Sequence, residues 1–598
     1  MLGYHGQYLR VDLTQEKAEW VSLPAEVLRR FLGGVGLGTW LLHQESPSNV
    51  DALDAFAPLL FAFSPLVGTP LTTSAKFAVL AKSPLTHRIN DALASSHFAL
   101  AGKRTGADAI VLVGRCRRPS ILLIHEGEIR VHPAEDLWGL PTDETTRILE
   151  ARHGADRASA VIGPAGENRV RYATISMGTR HAGRGGLGAV MGSKLLKAVV
   201  VSGSRRTKLA DPDGVARLAR DLSKRSFGPA TAKYRELGTV SNLLAFNRLQ
   251  ALPTRNFQQG SFEGAENISG EALNAAHRIA RASCAACTIG CEHIYRAGDG
   301  QEVRLEYESL FALGPLCGID DREMVLQAAR RCDVLGLDTI STGATLAFAM
   351  ECGQRGLLDV GDLAFGKGPA VLAMLERIAR RADPLGSLLA EGSRGVAEVL
   401  GGRAMEFAPH VKGLELPGYE PRTMQAMALG FAVGSRGADH NRSGAYEIDF
   451  SSQGNRLDGS PDVAPLAVET EDRAALIDSM ILCKFLRGVF SDLFEESATL
   501  LRSVTGWDWT STELRRVARR IVTARKLYNE RAGWTPAEDT LPARFLSDPL
   551  HGESIGEVRL PRQRLQEMIT AYYAARDWSK EGWVPARLRD ELELHDLG

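Results

Sequence analysis

Long apolar runs are missing from this chain of 598 residues. No stretch of about eighteen uncharged apolar residues occurs, which excludes an ordinary membrane-spanning helix. A surplus of either charge is missing too. Lys plus Arg number 71 against 72 Asp plus Glu, for a net charge of −1, and nucleic-acid binders carry a basic excess. Cysteine is scarce: eight residues are too few for a disulfide framework. Five of them (Cys116, Cys317, Cys332, Cys352 and Cys483) stand singly, which suits a reducing compartment. The opening MLGYHGQYLRVDLT alternates like a strand and lacks the basic-then-apolar order of a secretory signal. The expectation is a cytoplasmic protein with no nucleic acid and no membrane span, able to act as a homo- or hetero-oligomer. No internal repeat stands out.

What is present divides the chain by texture. Its length predicts two to four domains. Up to about residue 205, short β-like runs are punctuated by Gly, Pro and Thr: Tyr8–Leu13, Leu59–Phe63, Phe77–Ala81, Ala109–Val113, Ile121–His125 and Ala198–Ser202. The basic and polar stretch Arg205–Asp213 reads as a linker. Beyond it, segments with 3.6-residue periodicity dominate, such as Asp321–Gly336, Ala370–Arg381, Arg473–Leu486 and Ser511–Glu530. The fold class is α+β: an amino-terminal β-rich domain over 1–207, then two mainly helical domains over 208–405 and 406–598. The second boundary falls in the least periodic stretch, around 396–420.

The sharpest chemical signal is Cys284-Ala-Ala-Cys287-Thr-Ile-Gly-Cys291. Structural zinc usually takes paired knuckles, and here there is one compact triplet. The C-x2-C-x3-C spacing fits three corners of a [4Fe-4S] cubane with a distant fourth thiolate, and thiolates are the soft ligands iron bound to sulfide prefers. Cys483, within Asp478-Ser-Met-Ile-Leu-Cys483, is the candidate fourth ligand. A zinc site and a group of metal-free buried cysteines remain the alternatives.

Three further motifs surround it. Gly183-Arg184-Gly185-Gly186-Leu-Gly188, continuing to Gly192-Ser-Lys194, combines permissive backbone with cations, as an anion-binding nest would. It matches neither the P-loop nor the dinucleotide pattern, and a tight loop before a packed helix explains it as well. Asp333-Val-Leu-Gly336-Leu337-Asp338 places two carboxylates around a glycine turn, fit to hold a polar ligand or cap the next helix. Asp478…Cys483 echoes the spacing of Asp333…Asp338, as if two arms held one object. Glu306, Glu308 and His440 could move protons near a redox centre, or serve as surface or core residues.

Together these motifs resemble the tungsten-containing aldehyde ferredoxin oxidoreductase family, from Tyr8 to about Gly582. They occur in the family's order, with Glu306-Tyr-Glu308 and Leu416-Pro-Gly-Tyr-Glu-Pro421 among them. The resemblance implies a β domain with pseudo-twofold sheets, on which the cofactor rests under two helical domains. It implies a [4Fe-4S] cluster on Cys284, Cys287, Cys291 and Cys483. It also implies tungsten (or molybdenum) bis-molybdopterin, held by Asp333, Gly336, Leu337, Asp338, Asp478 and Leu482. Arg184, Gly185 and Gly186 would stand beside it, near a magnesium or other divalent cation bridging the pterin phosphates. Glu308 and His440 would be catalytic. The implied reaction is oxidation of an aldehyde to a carboxylic acid, with electrons leaving to a ferredoxin or to separate iron–sulfur or flavin subunits. A catalytic subunit of a low-potential acyl-CoA or benzoyl-CoA-type reductase is the alternative, and Cys317 on the metal would be its mark.

The chain also departs from the resemblance. Leu93 stands where an asparagine helps hold the bridging cation, and leucine has no acceptor oxygen. Cation binding is then expected to use another group, with Asn90 and Ser95 the candidate substitutes, or backbone alone. His97-Phe98 are expected to form a modified wall near the cofactor.

Overall fold

The computed structural model describes residues 1–47 and 49–597. Strands β1 (Gln7–Asp12), β2 (Lys17–Ser22), β3 (Leu59–Ala62), β4 (Lys76–Lys82), β5 (Ile89–Ser95) and β6 (Ala109–Val113) form one six-stranded sheet, ordered β2-β1-β6-β3-β4-β5. A second contains β7 (Ser120–His125), β8 (Glu128–Pro133), β9 (Ala158–Val161), β10 (Ile175–Met177), β11 (Arg180–Ala182) and β12 (Leu196–Ser202), ordered β8-β7-β12-β9-β10-β11. The two orders correspond strand for strand. β1 pairs parallel to β6 as β7 does to β12, and every other neighbouring pair in both sheets is antiparallel. The β region is therefore a topological repeat, which the amino-acid sequence conceals.

Side-chain alternation explains how the sheets stack. Leu9 and Val11, Phe61, Phe77 and Val79, and Ile110 and Leu112 of the first sheet share one buried core with Leu122 and Ile124, Ile175 and Met177, and Val199 and Val201 of the second. The intervening residues of the first sheet, such as Leu60, Ala78, Leu80 and Val111, join a larger core with the helices that follow. Runs such as Ala-Ile-Val-Leu-Val in β6 are buried on both faces, hence their unbroken apolar character.

Phe98 belongs to the inter-sheet core. Its ring centroid lies 5.0 Å from Phe77 and 5.3 Å from Phe61, and His97 is exposed. The pair opens a helix (His97–Arg104) capped by Ser96 and does not wall the cofactor cavity as expected. The strand that faces the cavity ends at Ser95, so residues two further on turn away.

Beyond β12 the chain is mainly helical. A three-stranded sheet of β13 (Arg278–Ala282), β14 (Glu292–Arg296) and β15 (Glu302–Arg304) interrupts it, and the cysteine triplet forms the β13–β14 connection. The helices that build the site are α1 (Tyr307–Leu313), α2 (Arg322–Leu335), α3 (Thr339–Gln354), α4 (His440–Ser443), α5 (Val463–Met480) and α6 (Ser511–Arg531). Among the described residues, no helix is long and apolar enough to cross a membrane.

Candidate active site

Two helix ends make matching arms. Helix α2 stops at Gly336 (φ 77°), with the Leu337 amide bonded back to the Cys332 carbonyl at 2.9 Å. Helix α5 stops at Ile481 (φ 66°), with the Leu482 amide bonded back to the Ile477 carbonyl at 3.0 Å. Both are left-handed helix stops, and in both an aspartate, Asp333 or Asp478, stands three residues before the turn. Glycine accepts that conformation freely, whereas a β-branched isoleucine there is strained by about 1–2 kcal/mol. Each arm is gripped by one sheet repeat, through the segment preceding its β4 or β10 strand. Thr174 donates its amide to the Gly336 carbonyl (2.8 Å), and the Tyr172 carbonyl accepts the Asp338 amide (3.1 Å). Ser64 donates its hydroxyl to the Met480 carbonyl (2.6 Å), and Thr73 Oγ1 accepts the Cys483 amide (3.1 Å). The aspartate echo in the sequence thus corresponds to the twofold relation of the sheets.

Thr73 also donates its amide to the carbonyl of Ala286, between Cys284 and Cys287, at 2.6 Å. One residue therefore ties the triplet loop to the Cys483 turn, and Thr72 adds a hydroxyl contact to Thr288 at 2.9 Å. Cys284, Cys291 and Cys483 face one cavity, and Cys287 packs behind them. All four are half-buried free thiols. They converge without closing to the spacing of a single-ion site. Burial raises the Cys287 and Cys291 thiols, and the neighbouring Cys483 raises them further.

The cavity runs from the thiols to Glu308 and His440 and encloses about 1680 Å³ of unfilled space, including its solvent-open part. Arg184, Asp333, Leu337, Asp338 and Asp478 line it, with Leu93 and Ser95 of β5. Its walls carry seven Lys or Arg and six Asp or Glu side chains. Gly185, Gly186, Gly336 and Leu482 stand behind the wall. Gly186 shows why: a Cβ there would lie 2.0 Å from the Arg171 carbonyl oxygen, so the turn needs glycine for close packing. Arg184 reaches in and donates to Asp338 Oδ2 (3.3 Å), the Ala438 carbonyl (2.9 Å) and the Glu415 carbonyl (2.6 Å). Asp338 also caps α3, accepting from the amides of Ile340 and Ser341. Of the expected substitutes for the missing asparagine, Ser95 donates its hydroxyl to the Ala75 carbonyl at 3.2 Å. Asn90 donates to the Arg184 carbonyl at 3.0 Å and keeps a buried Oδ1 with no protein partner. Cys317 is fully buried, directs its thiol at the Ala312 and Gly343 carbonyls, and is not on the cavity wall.

Glu308 and His440 meet across the wall, with Oε1 3.6 Å from Nε2. Gly418 donates its amide to Glu308 Oε2 at 3.0 Å, while Oε1 has no hydrogen-bond partner. Burial pushes the carboxyl up to about 8, a shift only partly offset by the Gly418 bond and Arg184. Burial lowers His440 to about 3, with Asp439 opposing. Both groups are therefore neutral at pH 7. Asn441 Nδ2 lies 2.9 Å from His440 Nε2; assigning it as donor puts the ring proton on Nδ1, which has no partner. Tyr419 stacks on the imidazole at 4.9 Å and 29°.

The residues that hold this corner are not singled out by the sequence motifs. Asp439 caps α4 and accepts from Arg436. Arg442 contacts Asp478 (3.0 Å) and Asp91 (2.6 Å), and Arg525 of α6 contacts the other Asp91 oxygen (2.6 Å). The i, i+3 alternation Arg436, Asp439, Arg442 was the available signal. Burial would raise Asp91, but the guanidiniums of Arg442, Arg525 and Arg436 hold it at about 2. Asp91→Ala leaves the buried Arg525 guanidinium without a carboxylate and Arg442 with Asp478 alone, so a loss of about 3–5 kcal/mol is expected, read as faster thermal inactivation. Because the folded carboxyl is depressed below its ordinary 3.8, this contribution is present above that value and is lost as pH falls from about 4 through 2. The variant should lack that part of the acid sensitivity.

A thiol quartet opening into a buried, charged cavity with a carboxyl–imidazole pair is the layout of an oxidoreductase. Residues 8–203 match the N-terminal domain of aldehyde ferredoxin oxidoreductase, and residues 217–594 match its domains 2 and 3. The chain belongs to the aldehyde ferredoxin oxidoreductase family. It is 36% identical to the tungsten-containing aldehyde ferredoxin oxidoreductase of Thermococcus kodakarensis, covering all of both chains. It is equally similar, over the same extent, to that of Pyrococcus abyssi. Among solved structures, the BamBC active-site complex of benzoyl-coenzyme A reductase, in complex with 1,5-dienoyl-CoA, shares the fold. The TM-score is 0.84 at 22% identity, covering 100% of this chain and 98% of that one.

Proposed function

We propose that this chain oxidises aldehydes to carboxylic acids with a tungsten (or molybdenum) bis-molybdopterin cofactor, passing electrons singly through a [4Fe-4S] cluster. The observation that carries the reading is the pair of matching arms, Asp333–Asp338 and Asp478–Leu482, framing a cavity with thiols at one end and Glu308–His440 at the other. Two equal arms suit two equal pterins, and the Lys and Arg side chains among the wall's mixed charges suit their phosphates. Asn90 Oδ1, buried without a partner beside the Arg184–Gly185 turn, would be the acceptor for a divalent cation in place of the absent asparagine. Cys284, Cys287, Cys291 and Cys483 would hold the cluster. The cofactor, when bound, supplies the Lewis-acid and two-electron redox chemistry.

The protein supplies the rest. His440, neutral and with a free Nδ1–H, donates to the aldehyde oxygen and fixes the carbonyl. Glu308, with one oxygen anchored by Gly418 and the other free, takes a proton from the attacking water in its ionised form, whose share grows as pH rises towards about 8. One aldehyde and one water give one acid, two protons and two electrons. The electrons leave to a ferredoxin or to separate iron–sulfur or flavin subunits, in the cytoplasm. The same reading divides the chain into domains at 1–207, 208–405 and 406–598. The buried thiol of Cys317 withholds the support that a cavity-facing ligand would lend to a benzoyl-CoA-type reductase. Anaerobic purification, metal and pterin quantification, and dye-linked assay of aldehydes against aryl-CoA thioesters test the proposal. Metal, pterin and aldehyde-dependent dye reduction are expected. Aryl-CoA turnover without aldehyde oxidation would reverse the assignment.

A further inference from the structure

The cysteine loop lies at the surface. Arg281, Ser283 and Ala286 are exposed around Cys284 and Cys287, so a cluster held there has little protein between it and solvent. Beside the loop, the short helix that carries Lys233, Arg235 and Glu236 meets the outer strand β13 through Arg278 and Arg281. Arg278 donates to the Glu236 carbonyl at 3.4 Å, and Arg281 to the Arg235 carbonyl at 3.3 Å. The Arg281 guanidinium also borders Gly290 of the cysteine loop. Among the described residues, none of these four cations has a carboxylate within ion-pair distance, although nearby Arg225 is paired with Asp221 and Glu496. Glu236 is the acid of the patch. In a chain whose charges sum to −1, this is a local excess left without carboxylate partners. Ile279 (39%) and Phe227 (58%) are exposed within it, and Arg235 stacks on Phe227 at 4.4 Å. Stacked Tyr234 and Phe485, 4.0 Å apart, connect this surface to the cavity wall beside Cys483.

We propose that Lys233, Arg235, Arg278 and Arg281 form the docking surface for an acidic one-electron carrier protein, placed over the cysteine loop. The inference rests on the cluster reading of the four cysteines. Each aldehyde oxidised releases two electrons, so two reduced carriers leave this surface per turnover. Unpaired cations around an apolar centre steer an acidic partner and are screened by salt.

The test is binding of the holoenzyme to a small, strongly acidic [2Fe-2S] ferredoxin, measured at low and high salt. Dye-linked aldehyde oxidation is assayed separately and reports on the proposed function alone. The triple variant Lys233→Glu, Arg278→Glu, Arg281→Glu should weaken ferredoxin affinity by about tenfold or more. Raised salt should weaken wild-type binding similarly, and Arg562→Glu, an exposed change on the helix Arg562–Ala575, should not. Absent or salt-independent wild-type binding, unchanged affinity in the triple variant, or equal loss in Arg562→Glu would each overturn the docking proposal, whatever the aldehyde assay gives.

Discussion

Glu308→Gln is expected to lower kcat for aldehyde oxidation by about 10²–10⁴ while tungsten or molybdenum, pterin and iron stay at wild-type levels. The substitution removes a proton acceptor and little else. The glutamine oxygen can still accept from the Gly418 amide, and the amide group fits a site where the carboxyl is already neutral at pH 7. A kcat loss with KM nearly unchanged marks an interaction made in the transition state. The pH profile gives an independent reading. A base must be deprotonated to act, so the wild-type rate should rise with pH through about 8, the value burial imposes on this carboxyl. His440, near 3, stays neutral across that range and adds no limb. The limb near 8 should vanish in Glu308→Gln. An unchanged rate, or a limb that survives the substitution, would remove Glu308 from the chemistry.

The sequence disclosed the parts of this fold whose signal is local. Apolar runs marked β1, β3, β4, β6, β7 and β12, and helical periodicity marked α2, α6 and the C-terminal part of α5. The polar or three-residue strands β2, β8, β10 and β11 left no such mark, because they depend on pairing and not on their own composition. The repeat, implied by the family resemblance, has no signal in the residues themselves for a related reason: sheet pairing asks for alternate burial, which many residue combinations meet, so equivalent strands need share no letters. The aspartate echo was visible because a left-handed helix stop imposes a fixed spacing. His97 and Phe98 do not wall the cavity, because closeness in sequence does not carry across a strand end where the chain turns. Asp91, Arg442 and Arg525 meet from three distant segments, and charge balance in a sequence cannot say which charges meet.

Cys483→Ala is expected to lower cluster iron from about four per chain to about three or fewer and to bleach the iron–sulfur charge-transfer absorption. Pterin and its metal should be retained. The distinction matters because Cys483 lies beyond the arm that carries Asp478. Its backbone amide, not its thiol, bonds to Thr73, and the Leu482 amide closes the preceding turn on the Ile477 carbonyl. Alanine keeps both bonds, so the Asp478 arm and its contact with Arg442 should persist. The same argument does not extend to Cys287, whose side chain packs against the helical core and accepts from the Ile289 amide. A loss there would mix ligation with packing. If Cys483→Ala retains a full complement of cluster iron, the fourth ligand lies elsewhere. If it loses pterin as well, cluster and arm are one cooperative unit, and Thr73, which touches both cysteine segments, is the residue through which they are joined.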